Sequence, residues 1–296
     1  MTTPTITVII PAFNSEKTIR RALDSVAAQT FSDFEIIVID DDSKDQTLGL
    51  VSHSSGAELR VIQHAQNLGA AAARNSGIAA ARGRWIAFLD SDDEWLPDKL
   101  ERQLAALKNA GRQNIMACAT GYRLYKNGRE LAVKLKLTSQ QFRNDILFGC
   151  TISPGSTLLV DRRAFDEIGL FDDRLRRLED WDWLLRYSER PDFDILFVPE
   201  LLANVYTTKR ALRISELDPA LNAIDRIRHI HLHRLKGVAK IKLRNALLIE
   251  TAARMFQADR PFSAIMYVIA ATLIYPFRNA AFFRSLWRSF RSLFSS

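Results

Sequence analysis

The first hundred residues alternate between short apolar runs and segments whose apolar positions recur every three or four residues. Residues 6–11 (ITVIIP) are apolar, β-branched and few, which predicts a buried strand. Ile19, Ala22, Leu23, Val26 and Ala27 then fall at helical spacing, with Asn14 or Ser15 placed to cap that helix. Residues 35–40 (EIIVID) predict a second strand, 45–52 a short helix, and 59–63 a third strand. Residues 70–81 predict a helix whose small side chains permit close packing, and 85–89 a fourth strand. Pro97 stands as the first residue of a helix with Leu100, Leu104 and Leu107 on one face. Such alternation implies an α/β fold with a mostly parallel central sheet flanked by helices on both faces. Beyond it the pattern is mixed: 114–126 reads as a strand, 161–169 and 180–188 as helices, and from about residue 215 the chain is helical.

Ligands of parallel sheets bind beyond the carboxyl ends of the strands. Three of those ends carry notable groups: Pro11-Ala12-Phe13-Asn14, Asp40-Asp41-Asp42-Ser43 and Asp90-Ser91-Asp92-Asp93. The last stands in FLDSDDEWLP, where an apolar run ends in four acids among five residues. One reading is a solvated turn, with Asp93 and Glu94 beginning the next helix. The other is a divalent cation site. Mg²⁺ or Mn²⁺ takes hard oxygen ligands and is commonly held by one or two carboxylates plus substrate phosphates, which points to a nucleotide diphosphate. There is no GxGxxG after the first strand and no GxxxxGK[ST] anywhere, which argues against a dinucleotide cofactor and a P-loop mechanism.

Charge divides the chain. Its 296 residues carry a net +7, but residues 205–296 hold 16 Lys/Arg against 5 Asp/Glu (+11) and residues 1–204 hold 25 against 29 (−4). A composition of 47% hydrophobic and 25% charged residues is ordinary for a globular protein, and two widely spaced cysteines suit structural thiols in a reducing compartment. The amino terminus has no basic region before its apolar stretch, so no secretory signal is expected. Residues 264–275 form an uncharged run of 12, short for a bilayer span. In 282–294 (FFRSLWRSFRSLF), Phe283, Trp287, Phe290 and Phe294 share a helical face beside Arg284, Arg288 and Arg291, and no acid follows Asp259. That pattern predicts an interfacial helix at a membrane surface; packing on the protein or on another subunit is the alternative. No nucleic-acid-binding module accompanies the charge. His229, His231 and His233 lack a carboxylate at metalloprotease spacing and are expected to be structural, with His229 and His233 on one face.

Three ordered segments carry a family resemblance. VIIPAFNSEKTIRRALDSVAAQTFSDFEIIVIDDDSKDQT, NLGAAAARNSGIAAARGRWIAFLDSDDEWLPDKL and GSTLLVDRRAFDEIGLFDDRLRRLEDWDWLLR together resemble the family 2 inverting glycosyltransferases of GT-A fold, over about residues 5–206. The resemblance implies a catalytic domain over 1–210, with a nucleotide-sugar half at about 1–112 and an acceptor half at about 113–210, followed by a basic helical extension over 211–296. It places Pro11, Phe13 and Asn14 at the base and ribose, Asp41 as acceptor for a uracil-type imide, and Asn67 and Arg74 near the nucleotide. Asp90, Ser91 and Asp92 match the Asp-x-Asp element, with Asp92 on the metal. Asp180, in the Glu179-Asp180 pair, is the implied general base. Trp181 and Trp183 are candidates for an acceptor platform or for core. The implied activity is transfer of a sugar from a nucleotide-diphosphate sugar, UDP-linked by preference, to a hydroxyl of a saccharide or lipid-linked saccharide, with Mg²⁺ or Mn²⁺. Cell-surface polysaccharide or glycolipid synthesis at the cytoplasmic face of the membrane is the implied setting. The sequence departs from the family pattern at Asp42, where glycine is usual, and in VYTTKR, where Thr207 and Lys209 replace a Tyr-Arg-x-His pattern and Lys209 or Arg210 could meet the diphosphate. A nucleotidyltransferase of related fold would show a Gly-rich, basic turn after the first strand, which PAFNSEKT is not. A non-catalytic sugar-nucleotide-binding or membrane-binding protein would have no need of both the Asp-x-Asp acids and Asp180.

Overall fold

The computed structural model describes residues 3–52, 58–126, 128–207 and 214–275. The predicted alternation is present as β1 (Ile6–Ala12), α1 (Ile19–Ala27), β2 (Phe34–Asp40), α2 (Thr47–Ser52), β3 (Glu58–Gln63), α3 (Ala70–Ala80) and β4 (Trp85–Phe88). There follow β5 (Glu94–Trp95), α4 (Lys99–Ala110), β6 (Ile115–Lys126), β7 (Arg129–Val133), α5 (Ser139–Asp145), α6 (Pro154–Thr157), β8 (Leu158–Asp161), α7 (Arg163–Ile168), α8 (Glu179–Ser188) and β9 (Asp194–Thr207). Three helices close the described chain: α9 (Ile214–His231), α10 (Gly237–Gln257) and α11 (Pro261–Ile274).

The strands form one sheet in the order β3-β2-β1-β4-β8-β6-β9-β5, with β7 added on β6. Strands β1 to β4 are mutually parallel where they pair, β8 runs antiparallel between β4 and β6, and β9 is parallel to β6. Register decides where the site forms. Ala12 pairs with Asp40 and Ile9 with Phe88, so the chain leaves β1, β2 and β4 side by side. Alternate residues of the central strands face opposite layers. Val8, Ile10, Ile36 and Val38 pack with Ile19, Leu23 and Val26 of α1. On the other side α3 approaches β1 so closely that a Cβ on Gly77 would stand 2.5 Å from Ile9 Cγ2. The small-residue character of α3 is the condition for that approach.

Several local expectations give way to tertiary contacts. Neither Asn14 nor Ser15 caps α1; the cap is Thr18, and the Ser15 carbonyl accepts from the Thr18 and Ile19 amides. Pro97 does not open α4, which starts at Lys99 after Asp98. Glu94 begins no helix: with Trp95 it forms β5 against Asn204 and Ala203 of β9, which delays the helix. The segment 161–169 divides into the end of β8, at buried Asp161, and α7.

The chain divides into two compact units, Met1–Ile146 with Cys150–Lys209 and Leu147–Gly149 with Arg210–Ser296. In the second, buried Asn245 on α10 donates to the Ala271 carbonyl of α11 at 2.6 Å. His231 is buried, whereas His229 and His233 line a surface cavity with Arg228 and Lys240. Among the described residues, no three or more His, Cys, Asp or Glu side chains gather as a metal group, and no helix is long and apolar enough to cross a membrane. The aromatic face around Trp287 lies outside the described residues, as do Lys209 and Arg210.

Candidate active site

Arg74 organises the site. It lies on α3, is buried, and its two terminal nitrogens reach in different directions: Nη2 to Asp90 Oδ1 at 2.7 Å and Nη1 to Glu179 Oε1 at 2.6 Å. It thereby joins the acid at the end of β4 to the acid that opens α8, 105 residues from itself in sequence. Burial alone would lower its pKa, but the charges of Asp90, Glu179 and Asp180 raise it, so the guanidinium stays charged. Among the described residues its buried Nε has no hydrogen-bond partner.

Asp180 is the next residue along α8. Burial first, and the Glu179 charge second, push its carboxyl up to about 6 against the pull of Arg74. Its Oδ1 accepts from the Trp181 amide at 2.7 Å. It borders a small cavity together with Arg74, Gly155 and Phe171. Leu178, just before the pair, holds a left-handed φ of 64°, and Ser153, before α6, one of 45°. Strain of this kind costs about 1–3 kcal/mol per residue and persists only where packing enforces it. Trp181 and Trp183 are core rather than platform: both are buried, with Nε1 donating to Ile146 O and Gly169 O, and Trp183 packs on Phe165, Phe171 and Tyr187.

The acids after β4 separate into different tasks. Asp90 is partly open to solvent and binds Arg74. Asp92 reaches solvent yet stands among packed groups; that loss of water first, and Asp90 second, hold its carboxyl above the usual range. Asp93 is buried, accepting from the Ser156 hydroxyl at 2.5 Å and the Tyr206 amide at 2.9 Å, and burial pushes it up to about 8. Glu94 accepts from Asn204 Nδ2 and from the Tyr206 hydroxyl. Asp93 and Glu94 therefore pin the turn to β9, leaving Asp90 and Asp92 facing the site. The Asp92 carbonyl accepts from Arg21, whose guanidinium lies over the Tyr206 ring at 4.0 Å.

The loops after β1 and β2 form the adjoining wall. Phe13 is 47% exposed and Pro11 half-buried, so the ring offers an open apolar face. Asn14 braces the two loops: its amide donates to Ser43 Oγ and its Oδ1 accepts from the Lys44 amide. Ser91 Oγ lies 2.8 Å from Ser15 Oγ. Asp41 is buried and largely engaged by its own chain. Oδ1 lies 2.9 Å from the Leu68 amide and 2.6 Å from His64 Nδ1, and Oδ2 accepts from the Gly69 amide at 2.7 Å. Three donors on a carboxylate of about four acceptor positions leave one open. Asn67 donates to the Asp41 carbonyl, and its own Oδ1 receives Arg176. Asp42, where the family pattern has glycine, adopts φ 66°. That is the left-handed region, and Asp is among the few other residues that enter it readily.

A scan against family models matches glycosyl transferase family 2 over residues 7–169. The chain belongs to glycosyl transferase family 2. It is 32% identical over 212 residues to the amylovoran biosynthesis glycosyltransferase AmsB of Erwinia amylovora, covering 69% of this chain and 70% of that one. It is 35% identical over 161 residues to the UDP-Glc:alpha-D-GlcNAc-diphosphoundecaprenol beta-1,3-glucosyltransferase WfgD of Escherichia coli, covering 53% and 60%. Among solved structures, S. aureus TarS 1–349 in complex with UDP-GlcNAc superposes with a TM-score of 0.59 at 20% identity, over 93% of this chain and 91% of that one. The α/β architecture is the GT-A fold expected of the family. Within this family-2 chain the structure adds residues that the motifs left without a role. A Cβ on Gly155 would stand 2.1 Å from Asp90 Oδ2, so only glycine fits against that acid. Ser156 accepts from the Asp90 amide while donating to Asp93. His64 links Asp41 to Ser76. The GST triplet stands inside a quoted family segment and marked the first two; His64, alone at the end of β3, had no local signal.

Proposed function

We propose that this family-2 glycosyltransferase is a metal-dependent, inverting hexosyltransferase. It moves a sugar from a nucleotide-diphosphate sugar, UDP-linked by preference, to a hydroxyl of a saccharide or lipid-linked saccharide. The observation that carries the reading is the Arg74 bridge, which ties the partly exposed Asp90 at the β4 end to Glu179, while Arg74 itself lines one small cavity with the half-buried Asp180. Phe13 provides the base with an apolar face, and the Asn14 and Asp41 networks hold the walls beside it.

Asp180 is the general base. With its pKa at about 6 it is mostly ionised at neutral pH and still basic enough to accept a proton. It takes the proton of the acceptor hydroxyl as that oxygen bonds to C1 of the sugar and the bond from C1 to the diphosphate breaks. One displacement inverts the anomeric centre. Arg74 keeps Glu179 and Asp90 compensated, so Asp180 is the acid of the pair left to act.

The chemistry of the donor set suits a cation that arrives with its diphosphate. Asp92 carries a crowded, solvent-facing carboxylate whose charged form is disfavoured beside Asp90, and a divalent cation relieves that cost. Mg²⁺ or Mn²⁺, held by Asp92 with Asp90 nearby, would stabilise the charge on the departing diphosphate. The names of AmsB and WfgD support a role in surface polysaccharide synthesis, and WfgD's an acceptor carried on a lipid diphosphate. The basic segment 278–296 is proposed to rest on the membrane surface where such an acceptor would be met.

Incubation with UDP-, GDP- and dTDP-sugars and Mn²⁺ is expected to release nucleoside diphosphate, slowly without acceptor, and chelation should stop it. Release of pyrophosphate from a nucleoside triphosphate and a sugar phosphate would establish a nucleotidyltransferase instead. Binding of a sugar nucleotide with no release under any acceptor would leave a binding protein.

A further inference from the structure

Lys99, at the start of α4, is fully buried, a place where lysine is seldom found without an acid beside it. Among the described residues no carboxylate pairs with it, and Cys118 is the titratable group that faces it. Its Nζ donates to the neutral Oε1 of Gln103 at 2.8 Å and stands 4.1 Å from the centre of the Trp95 ring. Those two partners share a second task. Trp95 Nε1 donates to the Ser156 carbonyl at 2.7 Å, and Gln103 Nε2 donates to the Thr157 carbonyl at 3.1 Å and the Cys118 carbonyl at 2.8 Å. Ser156 and Thr157 are consecutive residues of α6, the turn against which Asp90 rests. Gly155 lies against Asp90 Oδ2, and Ser156 Oγ accepts from the Asp90 amide at 3.2 Å. Lys99 therefore stands behind both grips on the turn that places the β4 acid.

We propose that Lys99 is a positioning residue for the nucleotide-sugar site: it holds Asp90 in place through Trp95, Gln103 and the α6 turn, and holds more firmly as an ammonium than as an amine. The proposal rests on the sugar-nucleotide reading of the site. An ammonium is drawn to the face of an indole and makes the stronger bond to an amide oxygen, whereas a neutral amine keeps only the weaker bond. In this dry pocket the side chain passes between the two forms in the neutral range, because burial drives its pKa down to about 7 and Cys118 opposes only in part. The elements around it offer no opposite charge: α4 presents Gln103, β5 Trp95, and β6 Cys118, whose thiol burial pushes up to about 12. The acid on the route is Asp93, beyond Ser156. Methionine would fill the same space without the charge, so packing alone does not call for lysine here. As pH rises through about 7 the ammonium is lost, the hold on Trp95 and Gln103 weakens, and Asp90 is placed less firmly for the donor.

The test is calorimetry of UDP with Mg²⁺ on the full chain from pH 6 to 8.5, wild type against Lys99→Met. The ratio of the two dissociation constants cancels the titrations of UDP and of Asp93. Wild type should bind about fivefold more tightly at pH 6, the worth of a modest cation–π contact, and within about twofold of the variant at pH 8.5. In turnover the loss should appear in the donor KM with kcat nearly unchanged, which a role in stability alone would not produce. Urea unfolding reads the charge separately. Folded Lys99 gives up its proton at a lower pH than the unfolded chain does, so its contribution is full above about pH 10 and is lost as pH falls through about 7. Wild type should therefore gain stability on Lys99→Met across that range. Trp95→Phe keeps an aromatic face but cuts the bond to Ser156; it should shrink the pH-dependent part of UDP affinity and leave the urea trend. If Lys99→Met does not fold, wild type against Trp95→Phe carries the same comparison. UDP binding with a ratio that does not change with pH overturns this proposal alone, as does an undiminished pH step in Trp95→Phe. Absence of UDP binding by wild type at every pH overturns the sugar-nucleotide reading and this proposal with it.

Discussion

Replacing Arg74 by methionine should move the acidic limb of the pH–rate profile upward. Arg74 is the cation nearest the acids, with its nitrogens 2.7 Å from Asp90 and 2.6 Å from Glu179. Burial and then Glu179 raise the Asp180 carboxyl to about 6, and Arg74 is the first influence that opposes them. An opposite charge in such a site moves a carboxylate by about 1–3 units, and the lower end is apt for one outweighed by two others. The limb should therefore shift from about 6 to about 7. With Asp180 as base, the ionised fraction at pH 6 falls from about one half to about one tenth, an added loss of about fivefold that nearly vanishes by pH 8. The assay is nucleoside diphosphate release from the best donor, followed as kcat/KM from pH 5 to 9. A pH-independent loss accompanies the shift, because Asp90 and Glu179 lose their shared partner. Leaving such acids unpaired also costs about 3–5 kcal/mol of stability, with the lower end apt because Asp90 is partly solvated. Arg74→Lys separates the two effects: the charge remains, so the limb should stay near 6, while the single ammonium cannot hold both acids and the plateau falls. A limb at the same pH in Arg74→Met and wild type would refute this account of Asp180. The sign for stability follows from the same shift. The folded state holds the Asp180 proton more tightly than the unfolded chain, so this group's contribution is full below about pH 4 and is lost as pH rises through about 6.

Asp180→Asn should lower transfer by about 10²–10⁴-fold while calorimetry shows UDP binding unchanged; transfer at the wild-type rate would remove Asp180 from the mechanism. Gly155→Ala forces a methyl to within 2.1 Å of Asp90 Oδ2, so it should destabilise by about 1–3 kcal/mol on thermal unfolding and raise the donor KM by displacing that acid. Asp42→Gly relieves a left-handed residue by about 1 kcal/mol and loses only an exposed pair with Lys44, so the melting temperature should hold or rise; Asp42→Val should lower it.

Much of the first compact unit was legible as pattern. The strands 6–11, 35–40, 59–63 and 85–89 needed only short β-branched runs, and each stands in the sheet within a residue or two. The charge split and the Asp-x-Asp turn were visible in composition and order alone. Less legible were β5, β7 and β8, of two, five and four residues. Runs so short carry no period of their own and exist because a neighbouring strand supplies their hydrogen bonds. The caps of α1 and α4 failed for the same reason, since the loops before them are held by partners elsewhere: Asn14 by Lys44, and Glu94 by Asn204.

Sequence by itself determined the α/β class, the family and the short list of acids, because periodicity and motif order are local properties of the chain. It could not divide the labour among those acids. Asp90, Asp92, Asp93 and Glu94 are neighbours of one kind, and only their distant partners distinguish them. Ser156 and Tyr206 take Asp93 into the core, Asn204 takes Glu94 to β9, and Arg74 ties Asp90 to Glu179. The same tertiary field, through burial and nearby charge, lifts the Asp180 carboxyl to about 6. A carboxylate's task is set by the water it has lost and the charges that face it, and both are properties of the folded chain.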